Sequence, residues 1–320
     1  MKRITILGAG HWGLALASVL AENNNEVLVY ARDINKVNDL NINHKSIYIK
    51  DYVFNSLVTA TSSLEEALDF SDIIIISLPV VAVYETLRPY LTKYNKKTYV
   101  FTSKGLYNGK TMSTLFSNVD SKLKLAVLSG PSFSNEVIEK KNTAVVIASK
   151  DLLIAQELQE LFSNNYFRVY TSRDIEGVEI CGAIKNVFAI ICGMVDGAKM
   201  GSNTKNALIT RGLSEMKNVI SFVGGDLQTL YGLAGIGDIM LTCNSFESRN
   251  YSYGYQYTSG QKSEASGVVE GLNTIKEIYN LSKNNNLEMP ITNSLYEVLF
   301  NNKDIKNIGF ELMNRKLKNE

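Results

Sequence analysis

One lysine stands in the middle of an otherwise apolar stretch. Residues 178–195 are apolar except for Glu179, Lys185 and Asn186, and eighteen residues without proline, apolar all round, predict a helix buried in protein. A membrane span is disfavoured, because an ammonium at mid-length is costly in lipid. Burial brings a lysine pKa toward neutrality, where the group can donate or accept a proton. The alternative is that Lys185 reaches the surface or pairs with one carboxylate, and the stretch alone favours neither.

A glycine-rich turn near the start of the chain is the second candidate for chemistry, at Gly8, Gly10 and Gly13. A buried strand is predicted at residues 3–7 before it and a helix at residues 14–22 after it. In that setting Gly8 permits a tight turn, Gly10 lets the backbone approach a pyrophosphate, and Gly13 lets the helix lie close to the strand. The helix N-terminus then faces the phosphates, so the turn predicts a dinucleotide site. The alternative is a glycine turn that binds nothing.

The end of the next predicted strand, residues 26–30, bears on which dinucleotide binds. An NAD-selective site usually has Asp or Glu there for the ribose 2′-hydroxyl, whereas this chain continues from Tyr30 through Ala31 to Arg32. Because Arg32 can face a 2′-phosphate, the sequence favours NADP(H). Asp33 is either a ribose ligand or the N-cap of the following helix.

The first half of the chain supplies an α/β framework for these residues. Predicted strands alternate with predicted helices until Asp174, which is typical of a mostly parallel sheet with helices on its faces. The further predicted strands are 72–78, 98–102, 123–128, 143–148 and 167–171, and the further helices are 35–40, 63–69, 80–91 and 152–162. Loops at the carboxyl ends of parallel strands bind ligands, so Lys104, Ser132 and Ser134 are candidates to contact a phosphate or a nicotinamide. Otherwise they serve solubility, and Ser132 caps a short helix.

After Asp174 only helical periodicity remains. The predicted fold is therefore α/β, with an N-terminal Rossmann-type dinucleotide-binding domain (residues 1–176) followed by an all-α C-terminal domain (residues 177–320). The helical half contains Arg249, which either binds a phosphate through two nitrogens or lies on the surface.

The composition argues against several classes of function. The chain has 320 residues, 45% hydrophobic content and a net charge of +1, so no bulk charge favours nucleic acid or anionic lipid. Three cysteines without a close pair do not suggest a disulfide framework, and two distant histidines argue against a histidine metal site. The N-terminal apolar run is too short for a signal peptide, so we expect a cytoplasmic protein.

Together these segments resemble the bacterial NAD(P)-dependent glycerol-3-phosphate dehydrogenases. The order and spacing of the shared motifs match over essentially the whole chain, and jointly the motifs are specific to this family. They are GAGHWGLALA at 8–17, SKGL at 103–106, LSGPSF at 128–133, GAIKNVFAI at 182–190, NALITRGLSEM at 206–216, LAGIGDIMLTC at 233–243, SRN at 248–250, VVEG at 268–271 and MPIT at 289–292.

The resemblance implies a role for each matching residue. Lys185 is implied as the catalytic residue, which hydrogen-bonds the C2 oxygen of the substrate, with Asp238 beside it. The implied substrate contacts are Lys104, Gly130, Ser132, Lys185, Asp238, Ser248, Arg249 and Asn250. The implied cofactor contacts are Gly8, Gly10, His11, Trp12, Gly13, Arg32, Lys104, Ser134, Arg249, Val268 and Glu270.

The implied reaction is the reduction of dihydroxyacetone phosphate to sn-glycerol 3-phosphate with NAD(P)H, NADPH being favoured. Negative charge develops on the C2 oxygen, and a lysine ammonium stabilises it and supplies the proton, so no metal is needed. Asp238 would orient Lys185 and oppose the effect of burial on its pKa, and the sequence leaves open which effect prevails. We further expect a cytoplasmic homodimer, acting on a phosphorylated small molecule without nucleic acid or membrane insertion, that supplies glycerol 3-phosphate for phospholipid synthesis.

The chain departs from the family at three places. His11 replaces the usual serine, residues 251–253 lack the usual basic side chains, and residues 49–51 lack the usual Leu-Pro-Gly. Two rival hypotheses stay open: another Rossmann β-hydroxyacid dehydrogenase, and a nucleotide-sensing protein without turnover. The SRN segment at 248–250 and Asp238 argue against the first.

Overall fold

A single eight-stranded sheet forms the centre of the N-terminal half in this computed structural model, which describes residues 1–260, 269–305 and residue 314. The strands are β1 (Arg3–Leu7), β2 (Glu26–Tyr30), β3 (Val58–Thr61), β4 (Ile73–Ile76), β5 (Thr98–Phe101), β6 (Lys124–Ser129), β7 (Thr143–Ala148) and β8 (Phe167–Ser172). Their order is β3-β2-β1-β4-β5-β6-β7-β8. All neighbours pair in parallel except β6 and β7, which are antiparallel.

The strand order places a ligand-binding edge beside β1. From β1 the chain first builds outward through β2 and β3, and then returns to add β4 on the other side. Open α/β sheets bind ligands at the carboxyl ends of the strands where the order reverses in this way. Strand β4 consists of four consecutive buried isoleucines. Such a continuous apolar run is typical of a strand in a parallel sheet that is covered on both faces.

Helices cover the sheet and form the second half. They are α1 (His11–Glu22), α2 (Ile34–Asn38), α3 (Leu64–Phe70), α4 (Val80–Leu87), α5 (Met112–Ser117), α6 (Ser134–Ile138), α7 (Leu152–Phe162), α8 (Ile175–Gly197), α9 (Ser202–Val223), α10 (Asp238–Thr242), α11 (Arg249–Ser259), α12 (Glu270–Asn285) and α13 (Pro290–Asn301). The predicted fold class, a Rossmann-type domain followed by a helical one, is confirmed. The division at residues 176 and 177 stays a prediction.

Helix α8 is the predicted buried helix. Within the described ranges it is the one helix long and apolar enough to cross a bilayer, and that apolar stretch is wholly buried inside the protein. Asp174 caps its first turn by accepting a hydrogen bond from the backbone N–H of Gly177 at 2.9 Å. The helix is thus a core element around which α9, α11 and α12 pack.

Two glycines let α11 lie directly against α8. A Cβ at Gly254 would lie 1.9 Å from the carbonyl oxygen of Ile190, and one at Gly193 would lie 2.0 Å from that of Tyr251. Any larger side chain would therefore separate the helices. This close crossing fixes where the first residue of α11, Arg249, lies relative to the side chains of α8.

Some local predictions were wrong. Strand β3 was not predicted, because four residues that include two threonines (VTAT) show little apolar pattern. Ser132 does not cap α6, whose N-cap is Phe133 without a side-chain hydrogen bond. Its hydroxyl donates instead to the carbonyl oxygen of Gly130 at 3.1 Å. For Asp33 the N-cap alternative is what the structure shows, since its carboxylate accepts from the N–H of Asn35 at 3.0 Å.

Candidate active site

A cleft of about 1770 Å³ separates the sheet from the helical half. One wall is formed by the residues that follow β1, β2, β4 and β5, and the other by parts of α8, α10, α11 and α12. The cleft therefore lies at the edge where the strand order reverses, as the glycine turn predicted. The predicted site residues that line it are Gly8, Gly10, His11, Trp12, Arg32, Lys104, Ser132, Ser134, Lys185, Ser248, Arg249, Asn250 and Glu270.

The glycine turn between β1 and α1 is shaped to admit an anion. Gly8 has φ +118°, and a Cβ there would lie 2.6 Å from the carbonyl oxygen of Ser77; one at Gly13 would lie 2.0 Å from that of Gly8. Helix α1 has no side-chain cap and no acid in its first turn. Its first N–H groups are therefore free to bind a diphosphate at the positive end of the helix. These residues fit a dinucleotide.

The ribose end of the cleft, beyond β2, carries positive charge. Arg32 is exposed and lines the cleft, while Asp33 next to it is engaged in capping α2. The strand tip itself, Tyr30 and Ala31, has no carboxylate. Arg32 is therefore the first charged side chain after the strand, and the carboxylate of Asp33 is the second.

Two lysines share one buried carboxylate at the centre of the cleft. The Nζ of Lys185 donates to Oδ1 of Asp238 at 2.5 Å and to the hydroxyl of Thr242 at 2.9 Å. The Nζ of Lys104 donates to the other oxygen, Oδ2, at 2.7 Å and to the carbonyl of Gly130 at 3.3 Å. Asp238 is 0% exposed. Two ammonium groups from different halves of the chain thus meet at one point of the cleft.

The surroundings decide the direction of each pKa in this cluster. Burial lowers the pKa of Lys185 to about 8; the charge of Asp238 opposes this, and that of Lys104 adds to it. Burial raises the pKa of Asp238, but the charges of the two lysines outweigh it and hold the pKa below its usual value. Of the two opposing effects on Lys185 that the sequence left open, burial therefore prevails. A lysine with this pKa is mostly charged at neutral pH and can exchange its proton readily.

Asp238 reaches this position through an irregular turn. Residues Leu233–Gly237 form a π-helical turn with Gly235 in a non-helical conformation, and α10 begins with Asp238 directly after it. Thr242 follows four residues later and lies on the same face, where its hydroxyl is 3.2 Å from Oδ1 of Asp238. The turn therefore places the carboxylate and hydroxyl together against α8.

The first residues of α11 form the polar end of the cleft. The hydroxyl of Ser248 accepts from the N–H of Tyr251 at 3.3 Å and caps the helix. The Oδ1 of Asn250 accepts from the N–H of Gly271 at 3.0 Å, which leaves its amide N–H groups available. Arg249 is exposed and lines the cleft. An exposed guanidinium beside an amide is able to bind a phosphate through several hydrogen bonds.

Two further titratable groups of the cleft, His11 and Glu270, respond to the charge of Arg249. Burial lowers the pKa of His11, and the charge of Arg249 lowers it further. Burial raises the pKa of Glu270, while Arg249, Lys104 and Lys185 oppose this. The charge of Arg249 thus acts on residues from both walls of the cleft.

Another buried carboxylate, Glu179 on α8, does not line the cleft. It accepts hydrogen bonds from the hydroxyl of Ser113 and from the backbone N–H of Ser113 at 3.1 Å, so it ties α8 to the start of α5. Burial raises the pKa of Glu179 to about 7, although these hydrogen bonds oppose the rise.

Not every predicted site residue lines the cleft. Gly13 lies within α1, Gly130 contributes its carbonyl oxygen to Lys104, and Asp238 lies behind the two lysines. Val268 lies outside the described residues. Their implied contacts stay predictions.

Sequence reasoning missed Thr242 and gave Asn186 no role, although both line the cleft. The signal for Thr242 was its helical spacing from Asp238, and for Asn186 its position beside Lys185. Within residues 1–260 and 269–305, no group of three or more His, Cys, Asp or Glu is placed to hold a metal.

Comparison with known proteins matches both halves of the chain. Residues 3–155 match the family model described as NAD-dependent glycerol-3-phosphate dehydrogenase N-terminus, and residues 174–309 match the model of the C-terminus. The proteins named glycerol-3-phosphate dehydrogenase (NAD(P)+) of Staphylococcus haemolyticus strain JCSC1435 and Staphylococcus aureus strain USA300 are each 41% identical to this chain, with all of both chains covered.

Solved structures agree. The crystal structure of glycerol-3-phosphate dehydrogenase from Coxiella burnetii has a TM-score of 0.93 at 34% identity and covers 98% of this chain and 99% of that chain. The Plasmodium falciparum glycerol-3-phosphate dehydrogenase structure has a TM-score of 0.88 at 23% identity, with 99% and 97% covered, which is a likeness of fold.

Proposed function

The chain belongs to the NAD-dependent glycerol-3-phosphate dehydrogenase family and interconverts dihydroxyacetone phosphate and sn-glycerol 3-phosphate with NAD(P)H, and we propose that Lys185 is the proton donor of this reaction. The observation that carries the proposal is the buried carboxylate of Asp238 with an ammonium on each oxygen. The rival hypotheses, another β-hydroxyacid dehydrogenase and a sensor without turnover, are set aside by the family membership.

Lys185 acts on the C2 oxygen of the substrate. When bound, the nicotinamide supplies a hydride to C2, and negative charge develops on the oxygen. The Lys185 ammonium stabilises that charge and donates its proton. Because its pKa is about 8, the group is mostly charged at pH 7 and becomes the acceptor in the reverse direction at higher pH. Asp238 and Thr242 hold the ammonium in place.

Lys104 provides the second cation and joins the two sites. Its chain follows β5, beside the dinucleotide region, and its ammonium shares Asp238 with Lys185. We assign it contacts to both substrate and cofactor. Ser132 and Gly130, which lie beside it, complete the carbonyl end of the substrate site.

The phosphate of the substrate is assigned to the first residues of α11. Arg249 binds two phosphate oxygens, and the free amide N–H of Asn250 and the hydroxyl of Ser248 add hydrogen bonds. Binding energy from this remote group holds C2 in line with Lys185. Because Arg249 also faces His11 and Glu270, it touches the cofactor as well.

The cofactor is assigned to the glycine turn and the wall beyond it. Gly8, Gly10 and the N-terminus of α1 bind the diphosphate, with His11 and Trp12 beside it. Gly13 contributes by letting α1 lie close to β1. Arg32 at the ribose end supports acceptance of NADPH at least as well as NADH. The other assigned contacts are Lys104, Ser134, Arg249, Val268 and Glu270.

The resemblance also supports a wider setting for the enzyme. It is a cytoplasmic homodimer that supplies glycerol 3-phosphate for phospholipid synthesis, with residues 1–176 binding the cofactor and residues 177–320 the substrate. Sedimentation equilibrium tests the dimer, and a monomer at micromolar concentration would contradict it.

The reaction is tested by following NADPH absorbance with dihydroxyacetone phosphate. We expect loss of the nicotinamide band, formation of sn-glycerol 3-phosphate, and a very poor rate with unphosphorylated dihydroxyacetone. Cofactor binding without loss of the band would leave a nucleotide-binding protein and would refute the assignment.

A further inference from the structure

A partly buried lysine without a carboxylate partner lies at the ribose end of the cleft. The Nζ of Lys36, on α2, donates to the hydroxyl of Tyr48 at 2.6 Å and lies 4.6 Å from the centre of the Tyr48 ring. Within the described residues, no acidic side chain forms an ion pair with Lys36. Both residues line the cleft. The phenol of Tyr48 is neutral and does not compensate the charge of the ammonium, so Lys36 is able to bind an anion in the cleft.

Lys36 lies four residues after Arg32, on α2 (Ile34–Asn38), and Arg32 stands at the strand end where dinucleotide folds bind the ribose. The two side chains belong to the same wall of the cleft, together with Lys50 and with the acids Asp33 and Asp51. Asp33 is held by its hydrogen bond to α2. The cations outnumber the acids at this end, so the wall suits a group more strongly charged than a hydroxyl.

Tyr48 holds the lysine in the cleft. A lysine on a short surface helix would otherwise sample many rotamers in solvent, at a cost in side-chain entropy when it binds. The hydrogen bond to the Tyr48 hydroxyl fixes the ammonium before any ligand arrives. The ring centre of Tyr48 also lies 5.1 Å from that of His11. Tyr48 therefore links Lys36 to the diphosphate end of the site.

We propose that Lys36, held by Tyr48, is the specificity-determining residue that binds the 2′-phosphate of NADPH together with Arg32. The inference rests on the proposed dehydrogenase function and adds a residue to it that no motif of the family resemblance contains. Arg32 is exposed, so solvent weakens its attraction for a phosphate. Lys36 is more shielded and would provide a charge in a fixed position. Arg32 then adds a mobile second contact.

Direct binding of NADPH and of NADH, followed by the fluorescence of the reduced nicotinamide, tests the proposal. Lys36→Met keeps the length of the side chain and removes its charge, and we expect the Kd for NADPH to rise about ten- to hundredfold, as for a lost charge-assisted hydrogen bond. The Kd for NADH should stay within about twofold. Tyr48→Phe, which removes only the hydroxyl, should cause a smaller loss confined to NADPH. Arg32→Ala should also weaken NADPH selectively.

Lys45→Met is the matched control. It removes the same charge from the segment that carries Tyr48, at an exposed position that does not line the cleft, so both affinities should stay native. Equal losses for NADPH and NADH in Lys36→Met would mean that Lys36 only packs the segment of Tyr48 against α2. No loss for either cofactor would place the 2′-phosphate elsewhere. Each result would overturn the proposal.

Turnover separates this proposal from the function on which it rests. The native protein and the control Lys45→Met should reduce dihydroxyacetone phosphate at the same rate with saturating NADH. If they do so but Lys36→Met shows no selective loss of NADPH affinity, the specificity proposal fails and the reaction stands. If the native protein consumes neither NADH nor NADPH with dihydroxyacetone phosphate, the reaction itself is wrong, whatever the binding shows.

Discussion

Replacing Asp238 by asparagine should change the acidity of Lys185 while keeping the shape of the site. Asparagine fills the same space in this fully buried position and keeps one oxygen as an acceptor, but the negative charge between the two ammonium groups is lost. Lys185 then faces burial and the charge of Lys104, both of which lower its pKa. The variant should therefore lose its proton donor at neutral pH.

The size of the effect follows from the geometry. At an effective dielectric constant of about 20, an ammonium and a carboxylate about 4 Å apart attract by about 4 kcal/mol, which is roughly a thousandfold in proton affinity. The pKa of Lys185, about 8 in the native protein, should fall to roughly 5 in the variant. At pH 7 the protonated fraction, and with it kcat/KM, should then fall by about a hundredfold.

The assay is the pH dependence of kcat/KM for dihydroxyacetone phosphate, because this quantity reports the free enzyme. In the native protein kcat/KM should decrease as the pH rises through about 8, and in Asp238→Asn the decrease should move to acidic pH. Asp196→Asn is the control: Asp196 also binds a lysine, Lys205 at 2.7 Å, but at the far end of α8. A variant that is slower but still loses activity near pH 8 would show that Asp238 contributes position only, and the electrostatic reasoning would be refuted.

Three further changes test other parts of the site and the core. Arg249→Lys should lower kcat/KM for dihydroxyacetone phosphate at least about tenfold, because a lysine cannot form the two-nitrogen contact. The residual rate with dihydroxyacetone at saturating NADPH should fall much less, and equal losses would assign Arg249 to the cofactor or the fold. His11→Ser should flatten the pH dependence of NADH binding. Because a diphosphate favours the charged imidazole, the affinity of the native protein for NADH should rise as the pH falls from about 7 to about 5. The same pH dependence in both proteins would exclude a contact between His11 and the diphosphate. Glu179 keeps its proton up to about pH 7 in the folded protein, whereas the unfolded chain releases it near pH 4.3. Native stability should thus decrease as the pH rises across that window, by about 4 kcal/mol. In Glu179→Gln, the free energy of unfolding measured with urea should lack this pH-dependent decrease. If it changes with pH equally in the variant and the native protein, Glu179 ionises normally.

The core helix could be predicted from the sequence because a long apolar run without proline allows few other structures. Residues 178–195 predicted a buried helix, and α8 is one, but the stretch alone left open whether Lys185 is buried or reaches the surface. The direction of the Lys185 pKa could not be predicted, since it depends on the balance between burial and a carboxylate 53 residues away. That balance is a property of distances, which periodicity does not contain.

The partners of Lys185 show the same limit. Asp238 was identified by the family resemblance, and nothing in its local pattern indicates that the irregular turn at Leu233–Gly237 brings it against α8. Thr242 shares its helical face but was overlooked. Lys104 was expected in a loop after a strand, yet its pairing with Asp238 joins two halves of the chain that no local rule connects.

The errors in the fold have local physical causes. Ser132 is a good helix-capping residue by type, but α6 begins at Ser134 with Phe133 at the N-cap position. Ser132 therefore stands one residue too early to cap the helix, and its hydroxyl donates to the carbonyl oxygen of Gly130. The antiparallel pairing of β6 with β7 is invisible in the sequence, since a buried strand has the same apolar pattern in either direction. The strand at Val58–Thr61 is too short and too polar to stand out.

The central claim is that Lys185 donates the proton, while the other residues of the cleft bind the substrate and the cofactor. Lys185→Met keeps the volume of the buried side chain and removes the ammonium. Losing one preorganised donor costs about 10²–10³ in rate and losing the proton donor about 10²–10⁴, so kcat with dihydroxyacetone phosphate should fall at least about a thousandfold, while the Kd for NADPH, titrated directly, stays within about threefold. A variant that keeps kcat within about tenfold of native would show that Lys185 is only a core lysine.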